Sequence, residues 1–148
     1  MAKVIAVCRS DTKGVRKEDI KQGQLIEDFG LETDAHADAT HRQLSLLDMS
    51  SIEKMKEMGL DVKPGDFAEN ITTEGIKLYE LPVGTILHVG KGIVLQVTQI
   101  GKECHAGCAI FRQVGKCIMP KEGIFARILK GGNVKAGDII TVEKSTHN

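Results

Sequence analysis

Apolar residues occur along this chain mainly in short, β-branched runs between turn residues, a pattern that is typical of strands. The run from Val4 to Val7, which ends at Arg9 and Ser10, predicts a first strand near residues 3–9. Similar runs predict two strands at 25–29 and 43–47. Beyond Pro64 five more are predicted, at 71–73, 86–89, 93–100, 124–129 and 139–143.

A single segment has helical periodicity. Apolar residues recur every third position from Met49 to Met58, and Gly59 ends the pattern. Ser50 and Glu53 have the spacing of a capping box, which predicts a helix over residues 50–58. Many short strands and one helix favour a mainly β, barrel-like antiparallel fold with one or a few short helices.

Glycine-rich stretches mark the predicted turns. We predict hairpin turns at 131–133 and 137–138, and neither has the strand-to-helix context or the lysine of a phosphate-binding loop. The chain shows no internal repeat and no linker. We therefore expect a single domain over residues 1–148.

Composition narrows the classes of function. The chain has 148 residues, 41% of them apolar, and its 20 basic residues balance 20 acidic ones. Zero net charge and only 3% aromatic residues disfavour nucleic-acid binding. The N-terminus reaches Arg9 too soon for a signal peptide or a membrane span, so we expect a cytoplasmic protein without a membrane partner. In that compartment its four cysteines are free thiols, ligands or nucleophiles rather than disulfides.

The densest group of reactive side chains follows the most apolar predicted strand. Cys104 lies in a loop just beyond this strand, and the adjacent Lys102 and His105 would favour its thiolate form. Cys104 is therefore the candidate functional thiol. The alternative is that it is a small buried apolar residue, a common role of cysteine.

A zinc site is a second interpretation of the same region. Cys104, His105, Cys108 and Cys117 would supply four ligands, although the second closely spaced pair of a structural zinc site is missing. Cys117 precedes Ile118, Met119 and Pro120, which favours a packed turn and a structural role.

Two further polar clusters are candidates for binding. Asp34, His36, His41 and Arg42 could bind a metal, could orient an anionic ligand or could stabilise an irregular loop; the forked guanidinium of Arg42 favours the anion.

The other cluster, around Pro64 to Thr72, contains Asp66 and Asn70. The preferred interpretation there is structural, with Asp66 capping a helical turn and Asn70 holding backbone groups.

These clusters, in this order, resemble the MOSC domain, the family named after the C-terminal domain of molybdenum cofactor sulfurase. Its short, stand-alone bacterial type is the most similar, and the likeness covers nearly the whole chain. The strings that carry it are Gly30-Leu31-x-x-Asp34-x-His36-Ala37, His41-Arg42-Gln43-Leu44-Ser45-Leu46-Leu47, Pro64-Gly65-Asp66-Phe67-Ala68-Glu69-Asn70-Ile71-Thr72, Val97-Thr98-Gln99-Ile100-Gly101-Lys102-x-Cys104-His105 and Gly123-Ile124-Phe125-Ala126-Arg127. The resemblance implies a β-rich, barrel-like fold.

The resemblance also implies a ligand, the molybdenum cofactor (molybdopterin), and a role for one cysteine. By position that cysteine is Cys104, which would present sulfur as a persulfide to molybdenum or ligate the metal. The residues that would bind the anionic pterin or shape its cleft are Asp34, His36, Arg42, Asn70, His105 and Arg127.

Two other functions stay open at this point. Some relatives are molybdenum-dependent reductases of N-hydroxylated compounds, and the cysteines could instead support a zinc-stabilised structural or interaction module. No pyridoxal phosphate is expected in this chain. The expected partners are the cofactor or its biosynthetic enzymes, with a separate sulfur-donor or electron-donor protein.

Overall fold

The computed structural model describes residues 2–11, 17–34, 43–59, 61–67, 69–101 and 122–143. Within them lie eleven strands, one α-helix and one turn of 3-10 helix. The strands are β1 (Ala2–Arg9), β2 (Glu18–Asp19), β3 (Gln22–Ile26), β4 (Gly30–Leu31), β5 (Leu44–Asp48), β6 (Ile71–Glu74), β7 (Ile86–Val89), β8 (Ile93–Ile100), β9 (Ile124–Lys130), β10 (Gly132–Lys135) and β11 (Ile139–Val142). Helix α1 spans Met49–Glu57, and the 3-10 turn spans Leu78–Glu80.

Seven strands close into a barrel, which confirms the predicted fold class. Their order is β11-β7-β8-β9-β5-β6-β1, and β1 pairs with β11 to complete the ring. The described pairings are antiparallel except that of β5 with β6, which is parallel. Strand β2 extends the sheet beyond β1, and β10, β3 and β4 form a separate three-stranded sheet.

The barrel wall has an apolar inner face and a mixed outer face. On β9, Ile124, Ala126 and Ile128 belong to the buried core, whereas the alternate residues Phe125 and Arg127 face outward. The three-stranded sheet contributes to the same core through residues of β3, β4 and β10, namely Leu25, Leu31 and Val134. Outward-facing side chains are thus the ones free to build a site on the wall.

Helix α1 packs on the outside of β5 and β6. Its buried residues include Ile52 and Met55, as the periodicity predicts, while Met58 is exposed. The predicted capping box is wrong by two positions, because the N-cap is Asp48, whose carboxylate accepts the backbone N–H of Ser50. A carboxylate at the end of β5 satisfies the first turn of the helix before Ser50 can do so. No helix within the described residues is long and apolar enough to cross a membrane.

Two other sequence predictions need correction. The strand predicted at 25–29 lies earlier, at Gln22–Ile26, because the chain turns at Asp28, whose φ is 57°.

The predicted hairpin turn at 131–133 is also wrong, because Gly132–Lys135 is a strand that pairs with β3 rather than with β9. Gly131 marks the close approach of the two backbones, since a Cβ there would lie 2.3 Å from the carbonyl oxygen of Leu25.

The turn at residues 64–67 supports the start of β6 and rests against the chain entering β2. Gly65 has φ +92°, a conformation that disfavours L side chains, and a Cβ at this position would lie 2.3 Å from the backbone oxygen of Lys17. The Lys17 N–H in turn donates to the Gly65 oxygen at 2.8 Å. Only glycine satisfies both the backbone angle and this close contact.

We expect Gly65→Ala to lower the free energy of unfolding by about 2–5 kcal/mol, the sum of left-handed strain and the clash with Lys17. Gly84→Ala is the matched control, because Gly84 has φ +100° but a Cβ there meets no atom within 4 Å. Urea denaturation measures both. Equal losses in the two variants would mean that the contact with Lys17 contributes nothing.

Candidate functional site

The described residues include three of the predicted site residues, Asp34, Asn70 and Arg127. The other predicted residues lie outside the described residues: His36, His41, Arg42, Cys104, His105, Cys108 and Cys117. The described residues therefore form the barrel wall on which the site would be built.

Asn70 ties three parts of the fold together just before β6 begins. Its side-chain oxygen accepts the Ser45 N–H at 3.1 Å, and its Nδ2 donates to the Cys8 oxygen at 3.1 Å. Its backbone N–H donates to the Ser45 oxygen, and its oxygen accepts from the Cys8 N–H. The side chain is fully buried. This confirms that Asn70 holds backbone groups; its contact with a cofactor stays a prediction.

Asp34 forms a buried ion pair at the same place. Its Oδ1 lies 2.8 Å from Lys17 Nζ, and the two side chains are 1% and 0% exposed. The carboxylate also accepts the Ser10 N–H at 3.0 Å, and Lys17 reaches the Ser10 hydroxyl at 3.2 Å. One strand end and two loops therefore meet on a single carboxylate.

The electrostatics of Asp34 favour its charged form. Burial by itself would raise the pKa of this carboxyl, but the Lys17 ammonium, the Ser10 N–H and the Asn70 side chain together hold the pKa below its usual value. Asp34 is thus a carboxylate at neutral pH, and its charge is compensated by Lys17 within the protein.

Glu69, next to Asn70, is a second buried carboxyl. It accepts the N–H groups of Gly65 and Phe67, and the Thr72 hydroxyl lies 2.6 Å away. Burial raises its pKa above the usual range despite these hydrogen bonds. Glu69 therefore stabilises the 64–72 segment through hydrogen bonds and does not face a ligand. Asp66 has a related role, accepting the Lys63 N–H at 3.0 Å.

A row of outward-facing residues crosses the barrel wall from Asn70. Register places Ser45 of β5 opposite Phe125 of β9, and Phe125 opposite Gln99 of β8. Ser45 and Phe125 are 6% and 7% exposed although both face away from the core. Gln99 donates to the oxygen of Gly101, after which the chain continues toward Cys104. Three strand spacings, about 14 Å along the wall, thus separate Asn70 from this strand end.

Arg127 lies two positions along β9 from Phe125 on the same outer face. Its side chain is 50% exposed, and its Nε donates to Asp28 Oδ1 at 2.8 Å. Gln43 Nε2 donates to the same carboxylate at 2.9 Å. Both hydrogen bonds lower the pKa of Asp28, and that of Gln43 has the larger effect. Within the described part of the chain, the terminal nitrogens of Arg127 have no hydrogen-bond partner.

The chain is anchored on both sides of residues 35–42, which carry His36, His41 and Arg42. Asp34 is held by Lys17 and Ser10, as described above. Gln43 is held at the other side, because it donates to Asp28 and its Oε1 accepts the N–H of Ile128.

The cysteine-bearing residues 102–121 are anchored in a similar way. The Gly101 N–H donates to the Gly123 oxygen at 2.6 Å. Glu122 accepts hydrogen bonds at 2.6 Å from both Ser51 and Lys54 of helix α1. Glu122 is thus the link between the helix and the chain that follows the cysteines.

Several of the residues that hold this wall in place were not predicted from the sequence. Ser45, a single polar residue within an apolar strand, carried a usable signal, because such a residue needs either solvent or a partner. Lys17, Asp28 and Glu122 carried none, because each resembles an ordinary surface charge in a polar stretch. Among the described residues, no group of three or more histidine, cysteine or acidic side chains could hold a metal ion.

The closed barrel with a mixed outer wall defines a class of mainly β domains, and comparison with protein families identifies the family. The MOSC domain matches residues 33–141. This match covers most of the chain, and the chain belongs to the MOSC domain family, which is associated with the molybdenum cofactor.

Solved structures share the fold at low sequence identity. YuaD from Bacillus subtilis is similar with a TM-score of 0.79 and 16% identity, over 99% of this chain and 98% of that chain. YiiM from Geobacillus stearothermophilus has a TM-score of 0.73 and 16% identity, over 97% and 76% of the two chains. YiiM from Escherichia coli has a TM-score of 0.67 and 20% identity, over 100% of this chain and 72% of that chain. No curated protein sequence matches the chain significantly.

We expect Asp34→Asn to lower the free energy of unfolding at neutral pH by about 3–5 kcal/mol, because it leaves the Lys17 ammonium buried without its counter-charge. The pKa of Asp34 is lower in the folded than in the unfolded protein. The stabilisation by the pair is therefore complete above the unfolded pKa and is lost as the pH falls through the folded pKa.

Urea denaturation between neutral and acidic pH tests this dependence. The difference in the free energy of unfolding between wild type and Asp34→Asn should shrink as the pH falls. Asp61→Asn, a change at an exposed position, should have the same free energy of unfolding as wild type at every pH. A constant difference between wild type and Asp34→Asn at every pH would contradict the assignment.

Proposed function

We propose that this protein binds molybdenum cofactor on the outer wall of the barrel and carries sulfur on Cys104. The observation that supports it best is the position of Arg127, whose partner Asp28 also holds Gln43, the residue that follows Arg42. The proposal assigns Arg42 to the same region of the wall as Arg127, because Arg42 directly precedes Gln43 in the sequence. The forked donors of arginine suit the phosphate of the pterin.

The residues present fit such a ligand. Arg127 is half exposed, and its terminal nitrogens have no hydrogen-bond partner among the described residues, so they could contact a phosphate while its Nε stays on Asp28. Asp34 does not repel the anion, because Lys17 compensates its charge inside the protein. When bound, the cofactor supplies molybdenum, a centre that accepts soft sulfur ligands such as a cysteine thiolate.

Asp34 and Asn70 have different roles in this proposal from those of the arginines. Both are buried, and their polar atoms bind strands β1 and β5 and residue Lys17. They set the position of the chain that enters residues 35–42, and His36 shapes the cleft from there. Arg42 and Arg127 make the contacts with the anion.

Chain length constrains where Cys104 can lie. The Gly101 N–H is hydrogen-bonded to the oxygen of Gly123, which directly precedes β9 and lies four residues, or about 13 Å, from Arg127. Three residues of extended chain from Gly101 to Cys104 span at most about 10 Å. The proposal thus requires the cofactor to extend from Arg127 toward the end of β8, with His105 beside the thiol.

Sulfur loading needs a separate donor protein. The Cys104 thiolate attacks the outer sulfur of a persulfide on the donor, the S–S bond of the donor breaks, and the donor leaves as a thiolate. No net electrons are exchanged in this step. The proposal includes the cytoplasm as the location of this step, because thiols stay reduced there.

We expect Cys104→Ser to fold like wild type but to lose molybdenum after anaerobic incubation with molybdenum cofactor and gel filtration. The change removes the thiol and almost no volume, so urea denaturation is the control for folding. Metal analysis scores molybdenum and zinc together. Stoichiometric zinc in wild type, with unfolding on chelation, would instead support the zinc-stabilised module and contradict the proposal.

We expect Arg127→Gln to weaken retention of the cofactor by about tenfold, the loss of one charge-assisted contact. Lys130→Gln is the matched control, because it removes the same charge from an exposed position on the same strand. Its retention should follow wild type. Equal weakening in the two variants would show that bulk charge, and not a contact by Arg127, attracts the ligand.

A further inference from the structure

Two adjacent residues at the end of β1 contact two adjacent residues of the loop after β4. Arg9 Nη2 donates to the backbone oxygen of Thr33 at 2.7 Å. The Ser10 N–H donates to the carboxylate of Asp34 at 3.0 Å. The end of one strand therefore holds both residues from which the chain continues into residues 35–42.

Thr33 adopts a backbone conformation that its side chain disfavours. Its φ is +68°, in the left-handed region, where a β-branched residue is a rare outlier. The contacts of Asp34 do not require a threonine at position 33. Relaxation of the Thr33 φ angle would displace the Asp34 carboxylate from Lys17. The hydrogen bond from Arg9 to the Thr33 oxygen opposes that relaxation.

The contact of Arg9 with Thr33 has a cost in stability. Its side chain is 22% exposed, and its Nε is buried with no hydrogen-bond partner among the described residues. Asp11 accepts a hydrogen bond from Nη2, the same nitrogen that donates to Thr33. An unpartnered buried donor destabilises a fold, so the two contacts of Nη2 must offset that cost.

We propose that Arg9 is a positioning residue for the cofactor site, acting by keeping Thr33 in its left-handed conformation. In this way it sets where the chain leaves Asp34 toward His36 and Arg42. The proposal rests on the proposed function for its effect on the cofactor. Its structural part, the coupling of Arg9 to the angle of Thr33, stands independently.

A double-mutant cycle tests the coupling. Arg9→Met removes the donor, and Thr33→Gly removes the strain, because glycine adopts positive φ readily. The readout is hydrogen exchange of the Asp34 amide, which donates to the Leu31 oxygen at 3.1 Å. We expect exchange to be about tenfold faster in Arg9→Met, and this change to shrink to about twofold or less when residue 33 is glycine.

Two further variants make the result specific. Arg9→Lys keeps a donor within reach of the Thr33 oxygen and should restore slow exchange. Lys3→Met removes a charge from the same strand at an exposed pair with Glu74 and should leave the Asp34 amide unchanged. A tenfold effect of Arg9→Met in both backgrounds, or in neither, would overturn the coupling.

Retention of molybdenum cofactor by the same proteins separates the two proposals. We expect Arg9→Met to weaken retention about tenfold and the added Thr33→Gly to restore it. Retention equal to wild type, with faster exchange at Asp34, would overturn the role of Arg9 in the site and leave the proposed function standing. If wild type retains no molybdenum, the proposed function fails, and the exchange cycle still decides whether Arg9 holds Thr33.

Discussion

The buried ion pair between Lys17 and Asp34 is the interaction on which the rest of the site depends. Both side chains are essentially inaccessible, and in the sequence each directly adjoins a polar stretch, residues 12–16 before Lys17 and residues 35–42 after Asp34. A buried pair of this kind is costly to break from one side, because the remaining charge has neither water nor a partner. The pair therefore fixes Lys17 and Asp34 relative to each other in a way that exposed charges could not.

Asn70 extends this constraint to the barrel. Through Cys8 and Ser45 it joins strands β1 and β5, and its neighbour Glu69 holds the turn that contains Gly65. The polar atoms of this network are satisfied within the protein, and they do not compete for an anionic ligand. In our proposal, contact with the ligand is left to Arg127, which faces outward and is half exposed.

The sequence predicted the barrel well, because its strands are separated by turn residues and alternate between core and outer wall. Strands β7 and β8 occur at the predicted bounds. Strands β2 and β4 are only two residues long, and no periodicity can be recognised over so few positions. Strand β10 was missed because it begins at Gly132, a residue that favours a turn unless a neighbouring backbone needs the space.

The site was predictable only in part, for a related reason. Asp34, Asn70 and Arg127 could be named from motifs of the family, but their partners come from distant positions. Lys17 lies 17 residues from Asp34, and Asp28 lies 99 residues from Arg127. Long-range pairings of ordinary charged residues have no local pattern. Only the fold shows that Asp34 and Asn70 are buried and bound within the protein, whereas Arg127, the proposed binding residue, is exposed.

The central claim is that this wall, positioned by the Lys17–Asp34 pair, holds molybdenum cofactor through its arginines. The most direct test is an anaerobic titration of the purified protein with molybdenum cofactor, in which the molybdenum that remains after gel filtration is measured at low and high salt. Our account predicts stoichiometric molybdenum at low salt and weaker retention at high salt, because guanidinium–phosphate contacts are screened. No retained molybdenum at either salt concentration would contradict it.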